Sequence, residues 1–265
     1  MKRVCYTETG MGDIVLLLHS SLSSKSQFKD LSARLSSSHH VIAIDLLGYG
    51  AAPFPEDTQG FGLKNELAHI NQVLADLKVD VDKPFHLVGH SYGGATALRW
   101  AYDNPHQVKS LHLFEPVAFH LLEKTSVGLA QITDVVDGLY AELEKGNKRA
   151  LCQAFIDYWS GKGAFNGFPP HIQDAMTGQV DKVVLDFEAL LHEPLNLEDY
   201  RGFSFPISLI MGMRSPVSSR SIAMALRDNL RGLEFYQVDC GHMGPVTHPR
   251  QVNEIWQKEI LKNSL

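Results

Sequence analysis

The sequence predicts an α/β protein: a mostly parallel twisted sheet with helices on both faces, interrupted by an inserted helical segment. Three observations carry this expectation. Short, near-continuous apolar runs alternate with longer stretches of helical period, the rhythm of a parallel sheet buried on both faces. The rhythm stops near residue 116 and resumes near 204, with helical patterning between. The length of 265 residues and 44% hydrophobic content suit one such domain with an insertion.

Asp13 to His19 encloses the first apolar run and reads as a buried strand. Phe28, Leu31 and Leu35 then stand at helical spacing within 26–35. Val41 to Asp45 is the second strand, and Gly48, Gly50, Pro53 and Pro55 break the chain after it. Leu63, Leu67, Ile70, Val73, Leu74 and Leu77 mark an amphipathic helix. A third strand, Phe85 to Gly89, runs into a glycine-rich turn and a helix over 95–102, and Val108 to Phe114 is the fourth strand. Helical stretches follow at 129–143, 150–159 and 183–191, with Gly161, Gly163, Gly167, Pro169 and Pro170 breaking the chain between two of them. Strands return at Pro206 to Gly212 and Leu233 to Val238, each followed by a helix, over 222–230 and 252–261. The expected division is a core of 1–115 and 204–265 with a helical cap of 116–203.

Composition narrows the function. A net charge of −6 and no long Lys/Arg block argue against a nucleic-acid partner. The longest early apolar run is far shorter than the roughly 20 residues a bilayer requires, so no membrane span is expected. The start, Met1 to Glu8, turns polar too soon for a signal peptide, and three widely spaced cysteines fit no disulfide framework or zinc spacing. A cytoplasmic protein without a metal site is expected. There is no HExxH, and His39-His40 would point to opposite faces of a strand. No phosphate-binding glycine pattern opens a helix, so no nucleotide cofactor is expected. The partner expected is a small-molecule substrate, and nothing in the pattern sets an oligomeric state.

The sharpest local feature is Gly89-His90-Ser91-Tyr92-Gly93-Gly94, a G-x-S-x-G turn between strand and helix. Such a turn forces the serine outward, and the flanking small residues let strand and helix approach closely. The helix N-terminus favours an oxyanion beside the serine. A serine nucleophile needs a base. His242, in the loop after the last strand, is the candidate, at the strand end where open α/β sheets build their sites. His248, before Pro249, is read as opening the last helix, and His90 as packing beneath the turn.

Here the chain resembles the α/β-hydrolase fold family over nearly its whole length. His19-Ser20-Ser21 is similar to the family's His-Gly-x oxyanion loop, and Asp45-Leu46-Leu47-Gly48-Tyr49-Gly50 to its D-x-x-G-x-G turn. The resemblance implies Ser91 as nucleophile, His242 as base, and an oxyanion hole from the Ser21 and Tyr92 amides. It makes His19, Ser20 and, in the cap, Trp159 candidate substrate contacts. Two departures stand out. Ser20 occupies the usual glycine position. Ser215, in Gly212-Met213-Arg214-Ser215, occupies the usual acid position. Some family members carry the acid one strand earlier, which makes Glu115 the candidate and keeps the order Ser91, Glu115, His242. The alternatives are that Glu115 caps its strand or pairs with Arg214, and that Asp239 is the acid; Asp45 is read as fixing its turn.

The implied activity is hydrolysis of a small carboxylic ester or related acyl substrate through an acyl-enzyme. The same residues also suit a C–C hydrolase, a lyase or a perhydrolase, and the altered acid position admits a non-catalytic ligand-binding homologue. Phe155, Tyr158, Trp159, Phe165 and Phe168 either form the cap's own core or line an apolar pocket.

Overall fold

The computed structural model describes residues 4–264. Met1-Lys2-Arg3, on which part of the signal-peptide reading rests, lies outside the described residues, as does Leu265. The strands are β1 (Tyr6–Thr9), β2 (Asp13–Leu18), β3 (His39–Ile44), β4 (Phe85–His90), β5 (Val108–Phe114), β6 (Ile207–Gly212) and β7 (Glu234–Val238). They form one sheet in the order β1-β3-β2-β4-β5-β6-β7. Every pairing is parallel except β1 with β3, where Tyr6 faces Ile44.

The helices are α1 (Lys29–Leu35), α2 (Leu63–Asp76), α3 (Tyr92–Asp103), α4 (Val127–Glu144), α5 (Lys148–Ser160), α6 (Pro170–Thr177), α7 (Val180–Leu191), α8 (Leu197–Tyr200), α9 (Val217–Asn229), α10 (Gly244–Thr247) and α11 (Pro249–Lys262). Side chains alternate across the strands, so both sheet faces are apolar. Val15, Leu17, Val41, Ala43 and Val88 pack with Phe28, Leu31 and Trp256 beneath α1 and α11. Leu16, Leu18, Ile42, Ile44 and Leu87 face the other way, toward α2 and α3. The latter cluster continues into Phe155, Trp159 and Phe187 of α5 and α7. Burial on both faces is why these strands read as unbroken apolar runs.

All six expected strands form, with boundaries displaced by a residue or two. The seventh, β1, escapes the pattern because three of its four residues are exposed and polar, as befits an edge. Residues 25–28 form a separate 3-10 turn ahead of α1 instead of opening one helix from 26. Pro169-Pro170, read as a break, is also a beginning. Pro170 occupies the first turn of α6, where its fixed φ suits the helix and its missing N–H is not needed. No helix among the described residues is long and apolar enough to cross a membrane.

Candidate active site

Three strand ends place three side chains together. Ser91 follows β4 and caps α3 in a left-handed conformation, φ 56° and ψ −119°. A non-glycine residue there is strained, and the surrounding packing must hold it. The packing is tight. A Cβ on Gly89 would meet the Gly93 carbonyl oxygen at 2.5 Å, and one on Gly93 would meet the Leu18 and His19 oxygens at 2.3 and 2.4 Å. The Gly93 N–H donates to the His19 carbonyl at 3.1 Å, tying the turn to the loop after β2.

Glu115 follows β5, also with positive φ, at 40°, and is fully buried. One carboxylate oxygen accepts from the Gly212 amide at 2.7 Å, and the other lies 2.6 Å from His242 Nδ1. His242 follows β7, and its Nε2 lies 2.9 Å from Ser91 Oγ. Ser91, His242 and Glu115 are therefore in one hydrogen-bonded line. With Nδ1–H on Glu115, Nε2 is free to accept the serine proton.

The alternatives for the acid lie elsewhere. Arg214 pairs with exposed Asp239 at 2.8 Å, leaving Glu115 to the histidine. Ser215 is buried, and its hydroxyl has no hydrogen-bond partner. Asp45 takes the Lys25 and Ala51 amides at 2.7 and 2.8 Å, and so fixes its turn. Burial, then the Glu115 charge, pushes the Cys240 thiol up to about 11, so it is no rival nucleophile.

The remaining predicted residues divide. Ser21 lies beside Ser91 on the cavity wall, and its hydroxyl donates to Asp186 at 2.5 Å. Tyr92, the first residue of α3, has an N–H with no intrahelical acceptor. Ser20 lines the cavity and donates both its amide and its hydroxyl to Gln27 Oε1, at 3.2 and 2.9 Å, which anchors the loop where the family has glycine. His19 is not on the cavity. It is fully buried beneath the loop, accepts from the Leu46 amide at 3.0 Å and donates to the Ser20 carbonyl at 2.7 Å. Burial holds it at about 4, as a neutral strut between the two loops. Trp159 of α5 packs its ring on His242, with centroids 4.2 Å apart.

His90 was visible in the sequence only as packing. It adds a hydrogen bond from its Nε2 to the His242 carbonyl at 2.9 Å, with Phe114 edge-on to its ring.

Two small spaces adjoin Ser91. One, about 70 Å³, is walled by Ser20, Phe155, Ile156, Trp159, Met176 and His242. The other, about 10 Å³, lies among Val117, Phe119, Phe155, Phe187 and Leu190, with Asp186 at its edge. Neither has a Lys or Arg in its wall. The aromatic residues divide: Phe155, Trp159 and Phe168 reach the spaces, while Phe165 is fully buried away from them. A larger groove, about 670 Å³, is open, runs between 60–65 and 188–194, and contains none of these residues. Among the described residues no cluster of three or more His, Cys, Asp or Glu could hold a metal ion.

The model of the "Alpha/beta hydrolase family" matches residues 15–255. The chain belongs to that family. Among curated relatives, a "Probable lysophospholipase BODYGUARD 1" of Arabidopsis thaliana is 35% identical over 116 residues, 42% of this chain and 24% of that protein. The chain thus spans about a quarter of that relative's length. A "Monoacylglycerol lipase abhd6-B" of Xenopus laevis is 25% identical over 94% of this chain and 76% of its own. The crystal structure of an enol-lactonase from Burkholderia xenovorans LB400 superposes with a TM-score of 0.77 at 16% identity, covering 97% of this chain and 95% of that one. That likeness shows the fold.

Proposed function

We propose that the chain is a serine hydrolase of small, uncharged carboxylic esters. The observation that carries this reading is the line Ser91–His242–Glu115, at 2.9 and 2.6 Å, opening on a small apolar space. Ser91 Oγ attacks the ester carbonyl while His242 Nε2 takes its proton. Glu115 stabilises the imidazolium and fixes the ring. The Ser21 and Tyr92 amides receive the oxyanion. His242 then protonates the departing alcohol, and water repeats the sequence on the acyl-enzyme.

Segment 116–203 acts as a cap in this reading. Trp159 and Phe155 shield His242 and Ser91 from water, and the apolar walls favour a hydrocarbon acyl group. A carboxylate-bearing substrate, such as a ring-fission diketone, would find no cation beside Ser91 and would face Asp186. The names of the lysophospholipase and monoacylglycerol lipase relatives support an ester bond. A fluorophosphonate should label the wild type, and Ser91→Ala should neither label nor turn over nitrophenyl esters. Equal labelling of both would refute the assignment.

A further inference from the structure

Behind the Ser91 loop lies a fully buried cluster of charge. Lys182, in α7, has no solvent exposure. Its ammonium pairs with Glu66 of α2 at 2.9 Å and with Asp186 one turn along its own helix. The faces of Tyr49, Phe61 and Tyr92 surround it at 5.0, 4.8 and 4.5 Å from their ring centroids. Burial alone would discharge it, but the Asp186 and Glu66 carboxylates outweigh that and hold its pKa above the ordinary lysine value.

The two carboxylates lead to different places. Asp186 accepts from the Ser21 hydroxyl at 2.5 Å and from Tyr49 at 2.6 Å. Glu66 accepts from the Tyr92 hydroxyl at 3.0 Å and from the Leu47 amide at 3.0 Å. Gly48 has φ 73°, which disfavours a side chain, and a Cβ there would also come within 2.9 Å of the Lys182 stem. Burying three charges is costly and gives little net stability even when they are well paired. What they achieve here is geometric. Ser21 sits on the loop after β2 and Tyr92 at the start of α3, yet their side chains end on one ion cluster.

We infer that Lys182, Asp186 and Glu66 are positioning residues, which lock Ser21 and Tyr92 together so that both backbone amides point at one oxyanion. Because Lys182 and Asp186 belong to the 116–203 segment, that segment helps to shape the oxyanion site as well as to cover it. The inference rests on the reading of Ser21 and Tyr92 as the oxyanion donors.

Ser21→Ala and Tyr92→Phe test it cleanly. Each keeps its backbone N–H and loses only the hydroxyl tie. Neither strands a charge, since Asp186 keeps Tyr49 and Lys182, and Glu66 keeps Leu47 and Lys182. A lost oxyanion donor costs about 10²–10³ in kcat. A loosened one should cost roughly tenfold, with KM within twofold and the thermal midpoint near that of wild type. The double variant should lose less than the product of the two single losses, because both ties hold the same object. Wild-type kcat in both single variants, or losses that track the thermal midpoint alone, would overturn the inference. If Ser91→Ala also turns over, the assignment of the site itself fails; if Ser91→Ala is inactive and both hydroxyl variants are normal, only the role of the ion cluster fails.

Discussion

Mild acid should destabilise this protein, because it stores neutral histidines where a cation cannot be hydrated. His86 and His112 are fully buried at one end of the sheet, in a chain of hydrogen bonds that crosses it. His86 Nδ1 and His112 Nε2 each lie 2.6 Å from Ser110 Oγ, and His112 Nδ1 lies 2.7 Å from Ser208 Oγ. Burial lowers both to about 3, with the Lys109 charge adding to the effect at His86. Burial likewise holds His19 at about 4. In the unfolded chain all three return to about 6.5. The folded values lie below the unfolded one, so the unfolded chain takes up protons first as pH falls. Their contribution is therefore complete above about pH 6.5 and is lost as pH drops toward 4. Between pH 7 and 5.5 each loses a little over 1 kcal/mol, so the three together lose about 3 to 4 kcal/mol. His90 and His120 shift in the same direction, while Asp186 and Glu193, whose carboxyls burial raises, oppose it. Against a typical stability of about 5–15 kcal/mol the loss is large. Urea unfolding followed by tryptophan fluorescence at fixed salt should show a midpoint falling steadily from pH 7 to 5.5. His112→Gln, which cannot titrate, should remove about one proton from the slope. A midpoint that stays flat across this range would refute the reasoning.

Three further outcomes are expected. Glu115→Gln would present an amide N–H to His242 Nδ1, forcing the tautomer that cannot accept the Ser91 proton, so kcat should fall by about 10⁴; a loss under tenfold in steady-state turnover would exclude Glu115 as the acid. Trp159→Ala opens the space beside His242, so the preferred acyl chain in a graded series of nitrophenyl esters should lengthen, at a stability cost of about 3–5 kcal/mol; an unchanged preference would exclude Trp159 as a wall. Gly93→Ala drives a Cβ against two backbone oxygens that cannot yield, and soluble expression should collapse; a stable variant with wild-type turnover would show that the turn has slack.

The architecture was legible because burial on both faces leaves a strand no polar positions. Leu16 and Leu17 point opposite ways into different clusters, so the run reads as unbroken apolar residues. The same logic hides β1, which has water on its outer edge and no apolar signature beyond Tyr6. Pro169-Pro170 misleads for a different reason. Proline forbids a helix interior but favours a helix start, and local sequence does not distinguish ending from beginning.

The candidate site was legible where its residues sit at strand ends, as with Ser91 and His242, which the fold brings within 2.9 Å of each other. It was illegible wherever a role is met by pairing across the chain. His19 shows the difference. Its place in the loop motif suggests contact with substrate, yet both ring nitrogens are taken by the Leu46 amide and the Ser20 carbonyl. Lys182 and Asp186 stand one turn apart on α7, and nothing in the local sequence marks them as buried. Only the fold brings Glu66, 116 residues before Lys182, to the same ammonium, and only there does the hydroxyl of Ser21, 165 residues before Asp186, find its acceptor. A buried charge is invisible in a sequence because its partners are what permit the burial, and they lie at no fixed spacing. The residues proposed to make the chemistry are therefore written locally. The residues that hold its geometry are written in the contacts between the 116–203 segment and the sheet, and Ser21→Ala and Tyr92→Phe separate the two.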